Sequence, residues 1–341
     1  MSLHQARTIA VIGAGSWGTA LAKLLSDKGH TVHLWAHGAE HAPAINRDRE
    51  NKKYLPGFFL NDKVTASADL QEVVSGKNHI LMVVPSHVFR AVFQQLVPFL
   101  ERQCIIVSAT KGIENESLMT MSQVMADVLR QSGREADIGV LTGPSFAKEV
   151  AAGIPTAVTV AAQTKALATR IQDIFFTERF RVYTSTDVIG QELGAALKNI
   201  VAIAAGICDG LGYGTNTRAA LITRGLAEIT RLGVKMGANP LTFSGLGGLG
   251  DLVLTCTGDL SRNRMVGLKL GQGKKLQAIL AEMAMVAEGV KTTGSAWRLA
   301  RRQGVDMPIL EQIYKVLYED KPCQEAVMSL LTRDQKEEME F

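Results

Sequence analysis

Residues 9–18 read IAVIGAGSWG, a short apolar run that empties into Gly13, Gly15 and Gly18. The run predicts a strand, a tight turn and a helix N-terminus able to hold a dinucleotide pyrophosphate. Gly13 allows the turn, Gly15 lets phosphates approach the backbone, and Gly18 lets the helix pack on the strand, while N–H groups and the helix dipole attract the anion. A lone G-x-G-x-x-G is weak, and a glycine-rich turn in another parallel sheet is its alternative. Here the motif lies within the first twenty residues, ahead of a helical stretch at 19–28 and a second strand, TVHLWA at 31–36, which is the context a dinucleotide site requires.

Strand-like runs continue at 79–84 (HILMVV), 104–109 (CIIVSA), 138–143 (IGVLTG), 156–162 (TAVTVAA) and 179–185 (RFRVYTS), separated by helix-length segments. Continuous Val/Ile/Leu runs of this kind belong to a parallel sheet covered on both faces. The expected fold is α/β, a Rossmann-like doubly wound sheet, with ligands beyond the carboxyl ends of the strands at the loops 84–86, 110–112 and 143–145. Past residue 186 the strand signal ceases. Helical patterns cover 187–208, 216–235, 260–270, 276–285, 292–303 and 309–318, so the sequence predicts a dinucleotide-binding domain over 1–188 and an all-α substrate and catalytic domain over 189–341.

The first predicted helix of that second domain contains Lys198, set between AAL and NIVAIAAG. An ammonium there is costly to desolvate unless something uses it, and a buried lysine can act as acid or base near neutrality. The competing reading is a lysine that snorkels outward or pairs with Glu192. A companion for Lys198 is available in Asp251, which follows a glycine-dense loop in GLGGLGDLVLTC; the alternative is an aspartate that serves as a cap or turn residue. Ser261-Arg262-Asn263, leading into a helical pattern, offers a hydroxyl, a guanidinium and helix N–H groups, a good cradle for phosphate; an N-cap followed by a surface arginine has the same sequence.

Composition bounds the remainder. A chain of 341 residues exceeds one ordinary core, and a net charge of +4 with basic and acidic residues interspersed favours a small anionic ligand over nucleic acid, an ordinary solvated surface explaining it equally well. Cys104, Cys208, Cys256 and Cys323 are scattered, without C-x-x-C pairs or clustered histidines, which points to reduced thiols and no metal. The opening MSLHQARTIAVIG has an apolar run already used as the first strand, and no uninterrupted stretch approaches a membrane span. The expected location is the cytoplasm.

Several blocks together resemble a known family: GAGSWGTALA, VVPSHVF, ATKGIE, TGPSFAKEVAAGIPTAV, GAALKNIVAIAAG, NTRAALITRGLAEI, GLGGLGDLVLTC, SRNR and VAEGVKT. In this order and over nearly the whole length they resemble the NAD(P)-dependent sn-glycerol-3-phosphate dehydrogenases of the bacterial type. The resemblance implies hydride transfer between NAD(P)H and dihydroxyacetone phosphate, giving sn-glycerol 3-phosphate for glycerophospholipids, and it suggests a homodimer. It also implies residue roles. Ser16 and Trp17 would touch the cofactor, with His37 near the adenosine ribose and Tyr54 its neighbour. Lys111 would meet cofactor and substrate, Gly143 and Ser145 the substrate, and Ala147 the cofactor. Lys198 would be the catalytic proton donor and acceptor. Asp251, Ser261, Arg262 and Asn263 would bind substrate, with Arg262, Val286 and Glu288 also at the cofactor.

The choice of nucleotide has its own signal. After the second strand the chain reads Trp35-Ala36-His37-Gly38, with no carboxylate before Glu40 to accept from a ribose 2′-OH or repel a 2′-phosphate. His37 with Arg47 or Arg49 would favour the phosphate, so the expectation is NAD(P)H with a lean towards NADPH. Two other readings use parts of the same pattern. Another two-domain β-hydroxyacid dehydrogenase would not need SRNR or the GLGGLGDL block, and a non-catalytic NAD(P)-binding regulatory protein would not need Lys111, Lys198, Asp251 and Arg262 together.

Overall fold

The run TIAVI forms β1 (Thr8–Ile12), four of its five residues buried, as befits a strand covered on both faces. In the computed structural model, which describes residues 6–283, 287–335 and 337–338, β1 is followed by α1 (Ser16–Asp27), β2 (Thr31–Trp35), α2 (His41–Asp48), β3 (Val64–Ser67) and α3 (Leu70–Val74). Next come β4 (His79–Met82), α4 (Phe89–Leu96), β5 (Ile105–Ser108), α5 (Met121–Gln131) and β6 (Asp137–Thr142). Then follow α6 (Ala147–Ala151), β7 (Thr156–Ala162), α7 (Lys165–Phe175) and β8 (Phe180–Ser185).

The eight strands make one sheet in the order β3-β2-β1-β4-β5-β6-β7-β8. Strand order reverses beside β1, which pairs in parallel with both β2 and β4. The glycine turn after β1 therefore sits at the switch point where such sheets take ligands. Two features differ from the sequence reading. The strand β3, only VTAS, has too few apolar residues to stand out from loop, and β7 runs antiparallel to β6. The five-residue helix α6 between them rises about 7.5 Å, against the roughly 20 Å length of a six-residue strand. It does not return the chain to the amino end, so β7 starts where β6 stops.

By contacts the chain divides into two units, Met1–Thr110 with Met121–Val188, and Lys111–Thr120 with Ile189–Phe341. Residues 111–120, expected in the first domain, thus belong to the helical unit, where Ile113 and Leu118 are buried in its core. Its helices are α8 (Val188–Gly210), α9 (Thr215–Lys235), α10 (Asp251–Thr257), α11 (Arg262–Gly271), α12 (Leu276–Ala281), α13 (Glu288–Gln303), α14 (Pro308–Tyr318) and α15 (Cys323–Leu331). Helix α8 is long and apolar enough to cross a membrane, but its most apolar window is 89% buried within the protein. A helix apolar all round is what a core requires. Helix α11 lies against it so closely that a Cβ on Gly267 would stand 1.9 Å from the Ile203 carbonyl oxygen.

Candidate active site

Two groups of residues, one in each unit, carry the expected chemistry. In the first unit Gly13 has φ +121°, and a Cβ there would come within 2.7 Å of the Val83 carbonyl oxygen. Gly18 is tighter, its absent Cβ 1.8 Å from the oxygen of Gly13. A Cβ on Gly15 would meet nothing within 4 Å, so the turn opens on that side. Gly15 also gives α1 no capping side chain, and the first turn of α1 holds no acidic group. A helix end with these attributes attracts an anion.

The neighbouring side chains brace this turn. Ser16 Oγ donates to the Tyr54 carbonyl at 2.6 Å, and buried Asn51 donates from Nδ2 to the Ala14 carbonyl and Thr19 Oγ1, both at 2.8 Å. Sequence reasoning missed Asn51, since one asparagine in a polar loop carries no periodic signal. Trp17 and Ala147 pack against the same small cluster around Leu55, and Trp17 Nε1 is buried with no hydrogen-bond partner among the described residues. His37 is exposed beyond β2, its ring 5.7 Å from that of Trp35. The other two expected cations are already engaged. Arg47 pairs with Asp48, and Arg49 turns its guanidinium onto the carbonyls of Leu60, Asn61 and Val64, which leaves it no fork for a 2′-phosphate. At the end of β6, Ser145 Oγ donates to the Gly143 carbonyl at 3.0 Å.

In the second unit, Lys198 of α8 is 5% exposed and Asp251 is fully buried. Glu192 is not the lysine's partner. The Lys198 ammonium donates to Asp251 Oδ1 and, at 2.8 Å, to Thr255 Oγ1, whose hydroxyl donates to the Asp251 carbonyl at 2.6 Å. Lys111 Nζ takes the other carboxylate oxygen, Oδ2, at 2.8 Å. Asp251 follows a π-helical turn, Leu246–Gly250, and opens α10, where the sequence suggested a loop. Thr255, also missed, stands four residues on, the spacing that places two side chains on one helix face. Burial draws the Lys198 ammonium down to about 7, Asp251 opposing and Lys111 adding to the shift. The arrangement is a proton donor near neutrality beside a second fixed cation.

Ser261 caps α11, accepting from the Arg264 N–H at 3.2 Å, and no acidic residue occupies the helix's first turn. Arg262 is exposed at the first helical position. Asn263 is turned inward: its Nδ2 donates to Asn199 Oδ1 and its Oδ1 accepts from the Gly289 N–H, both at 3.0 Å. It joins α8, α11 and α13 next to Lys198. Glu288 is the first residue of α13, and Val286 lies outside the described residues. All four cysteines are free thiols. Among the described residues no three His, Cys, Asp or Glu side chains gather in a manner that could hold a metal.

Known proteins match this chain along nearly its whole length. Residues 8–168 match the family model for the N-terminus of NAD-dependent glycerol-3-phosphate dehydrogenase, and residues 187–328 match that for its C-terminus. The glycerol-3-phosphate dehydrogenase [NAD(P)+] of Geobacter sulfurreducens is 58% identical over 97% of this chain and 98% of its own length. That of Bacillus velezensis is 50% identical over 98% and 96%. The crystal structure of the Coxiella burnetii glycerol-3-phosphate dehydrogenase superposes with a TM-score of 0.92 at 40% identity, covering 96% of this chain and 99% of that one.

Proposed function

Because the chain belongs to the NAD-dependent glycerol-3-phosphate dehydrogenase family, we propose that it reduces dihydroxyacetone phosphate to sn-glycerol 3-phosphate with NAD(P)H, as a cytoplasmic enzyme of glycerophospholipid synthesis. The observation that carries the mechanism is the buried carboxylate of Asp251 shared between Lys198 and Lys111. The glycine turn fits a dinucleotide on three counts: an open face at Gly15, an uncapped α1, and the orphan Nε1 of Trp17. Gly13, Gly15, Ser16, Trp17 and Gly18 would hold it, with Ala147 packing beside Trp17. Bound NAD(P)H supplies the hydride.

The chain's own residues supply position and charge. As the carbonyl oxygen of the substrate gains charge, Lys198 stabilises it and passes one Nζ proton to it; in the reverse direction the neutral amine takes that proton from the hydroxyl. Lys111 adds a second cation, and Asp251 keeps both ammoniums in place. Ser261, Arg262 and the N-terminus of α11 bind the substrate phosphate, which orients the carbonyl. From the family resemblance we infer further substrate contacts at Gly143 and Ser145.

The test is to follow absorbance of reduced nicotinamide with the purified protein and either dihydroxyacetone phosphate or dihydroxyacetone. Turnover of the first and not the second is expected. Equal rates with both, or preference for a 3-hydroxy-acid precursor, would replace this reading with that of another β-hydroxyacid dehydrogenase.

A further inference from the structure

Lys111 begins a short loop that closes on itself. Ile113 and Thr120 form an antiparallel bridge, and the Glu114 N–H donates to the Met119 carbonyl at 2.9 Å. Ile113, 2% exposed, and Leu118, 8% exposed, plug the loop into the helical core. These contacts hold the loop's body but leave open what fixes its tip. Helix α13 does so: Ser295 Oγ donates to Asn115 Oδ1 at 2.5 Å, the Arg298 guanidinium donates to the Asn115 carbonyl at 2.5 Å, and Arg302 reaches the Ser117 carbonyl at 3.4 Å.

Ser295 is fully buried beside Ala296 and Leu299, which are buried as well. A hydroxyl in such a place costs free energy unless it is bonded, and Asn115 supplies the acceptor. The same helix, through the Gly289 N–H, holds Asn263 and with it Asn199, the residue next to Lys198. One rigid element thus ties both the loop that carries Lys111 and the neighbourhood of Lys198.

We propose that Asn115 is a positioning residue: strapped to Ser295 and Arg298, it fixes the 111–120 loop so that Lys111 stays seated on Asp251 opposite Lys198. The proposal rests on the reading of Lys111 and Lys198 given above. Its consequence is electrostatic. The charged and titratable groups that act on Lys198 are Asp251 and Lys111, and it in turn acts on the Cys256 thiol of α10. Lys111 lowers the Lys198 pKa while Asp251 raises it. If Lys111 leaves the carboxylate, both changes push Lys198 upward.

The experiment compares pH profiles of kcat/KM for dihydroxyacetone phosphate reduction in Asn115→Ala, Asn115→Asp and Lys111→Met. Asn115 borders an open cavity of about 380 Å³, so its truncation opens onto solvent space and not a closed core. Asn115→Ala should lower kcat/KM about tenfold and move the basic limb upward by about one pH unit, the size of shift that a like charge within a few ångströms produces. Asn115→Asp, which keeps the acceptor for Ser295 and faces Arg298, should stay near wild type. In a Lys111→Met background, Asn115→Ala should add no further shift. A shifted profile in Lys111→Met with an unshifted one in Asn115→Ala overturns the strap alone. An unshifted profile in Lys111→Met overturns the reading of Lys111 and the strap with it.

Discussion

Lys198→Met is the sharpest perturbation, because methionine keeps the length of the side chain and removes only the ammonium. The surroundings tolerate the change. Asp251 retains Lys111 at 2.8 Å, and Thr255 still donates to the Asp251 carbonyl at 2.6 Å, so no buried carboxylate is left unpaired. Loss of a general acid costs about 10²–10⁴-fold, and loss of a preorganised cation at a developing oxyanion costs about 3 kcal/mol or more. These describe overlapping effects of one group, so the expected fall in kcat is about 10³-fold. The pH profile gives a second, independent check. With Lys198 near 7, reduction needs the ammonium, and the wild-type rate should fall about tenfold for each pH unit above that value. The variant should lose this limb, and nicotinamide fluorescence should show NADPH binding changed little. Retention of more than about a tenth of wild-type kcat, or persistence of the basic limb, would refute the role of Lys198.

Three further outcomes follow from specific contacts. Asp251→Asn leaves two ammoniums facing one neutral amide, so Lys198 should fall further below 7 and the reduction optimum move to lower pH; breaking the pair should cost roughly 3–5 kcal/mol of stability in denaturant titration. Buried Glu228 accepts from the Ile309 and Leu310 N–H groups at the start of α14, and burial raises its pKa from 4.5 to about 7. The folded state therefore binds more protons than the unfolded one between these values, and stability is lost as pH rises through that window, by up to about 3 kcal/mol. Glu228→Gln should flatten this decline in thermal melts between about pH 5 and 8, and a variant that declines as steeply as wild type removes Glu228 as its source. We infer a preference for NADPH from the exposed His37 and the missing carboxylate beyond β2; His37→Asp should lower use of NADPH relative to NADH by about tenfold or more, and an unchanged ratio would place recognition elsewhere. Ala36 is unsuited to the same test, being fully buried.

The parts of this molecule that could be read from its sequence are the local ones. IAVIGAGSWG encodes a strand, a turn and the start of a helix within ten residues, and the long apolar run of α8 announces a core helix by composition alone. Pairing across distance has no such local signal, and Asp251 is suggested as a companion to Lys198 only by the cost of leaving a buried ammonium unpaired. Lys198 lies 53 residues from Asp251 and Lys111 lies 140 residues from it, and no helical or strand period extends so far. Even so, a lysine amid AALKNIVA required a partner, because burial without one is too costly. The nearby candidate Glu192 could have been set aside by geometry. Six residues along a helix of 3.6 per turn is about 600°, or roughly 120° away from the same face. Asp251 stood out as a companion for Lys198, and the two do pair; the glycine-dense segment before it resembled a loop, which hid the helical turn and with it Thr255.

The charge count of the cluster ties its structure to its chemistry. With Lys111 and Lys198 both protonated, one carboxylate offsets one ammonium, and the site keeps a single net positive charge in a place from which water is largely excluded. Burial alone would expel that charge, which is why Lys198 releases its proton near neutrality instead of near 10.5. In the reaction proposed above, an oxygen that becomes negative beside it would supply the missing counter-charge, so the cluster would be better satisfied with the developing alkoxide than with the neutral carbonyl. That difference is what accelerates a reaction, since only interactions stronger in the transition state than in the ground state lower the barrier. Transfer of the proton would then leave a neutral hydroxyl and a neutral amine, and the remaining pair, Lys111 with Asp251, would be balanced without substrate.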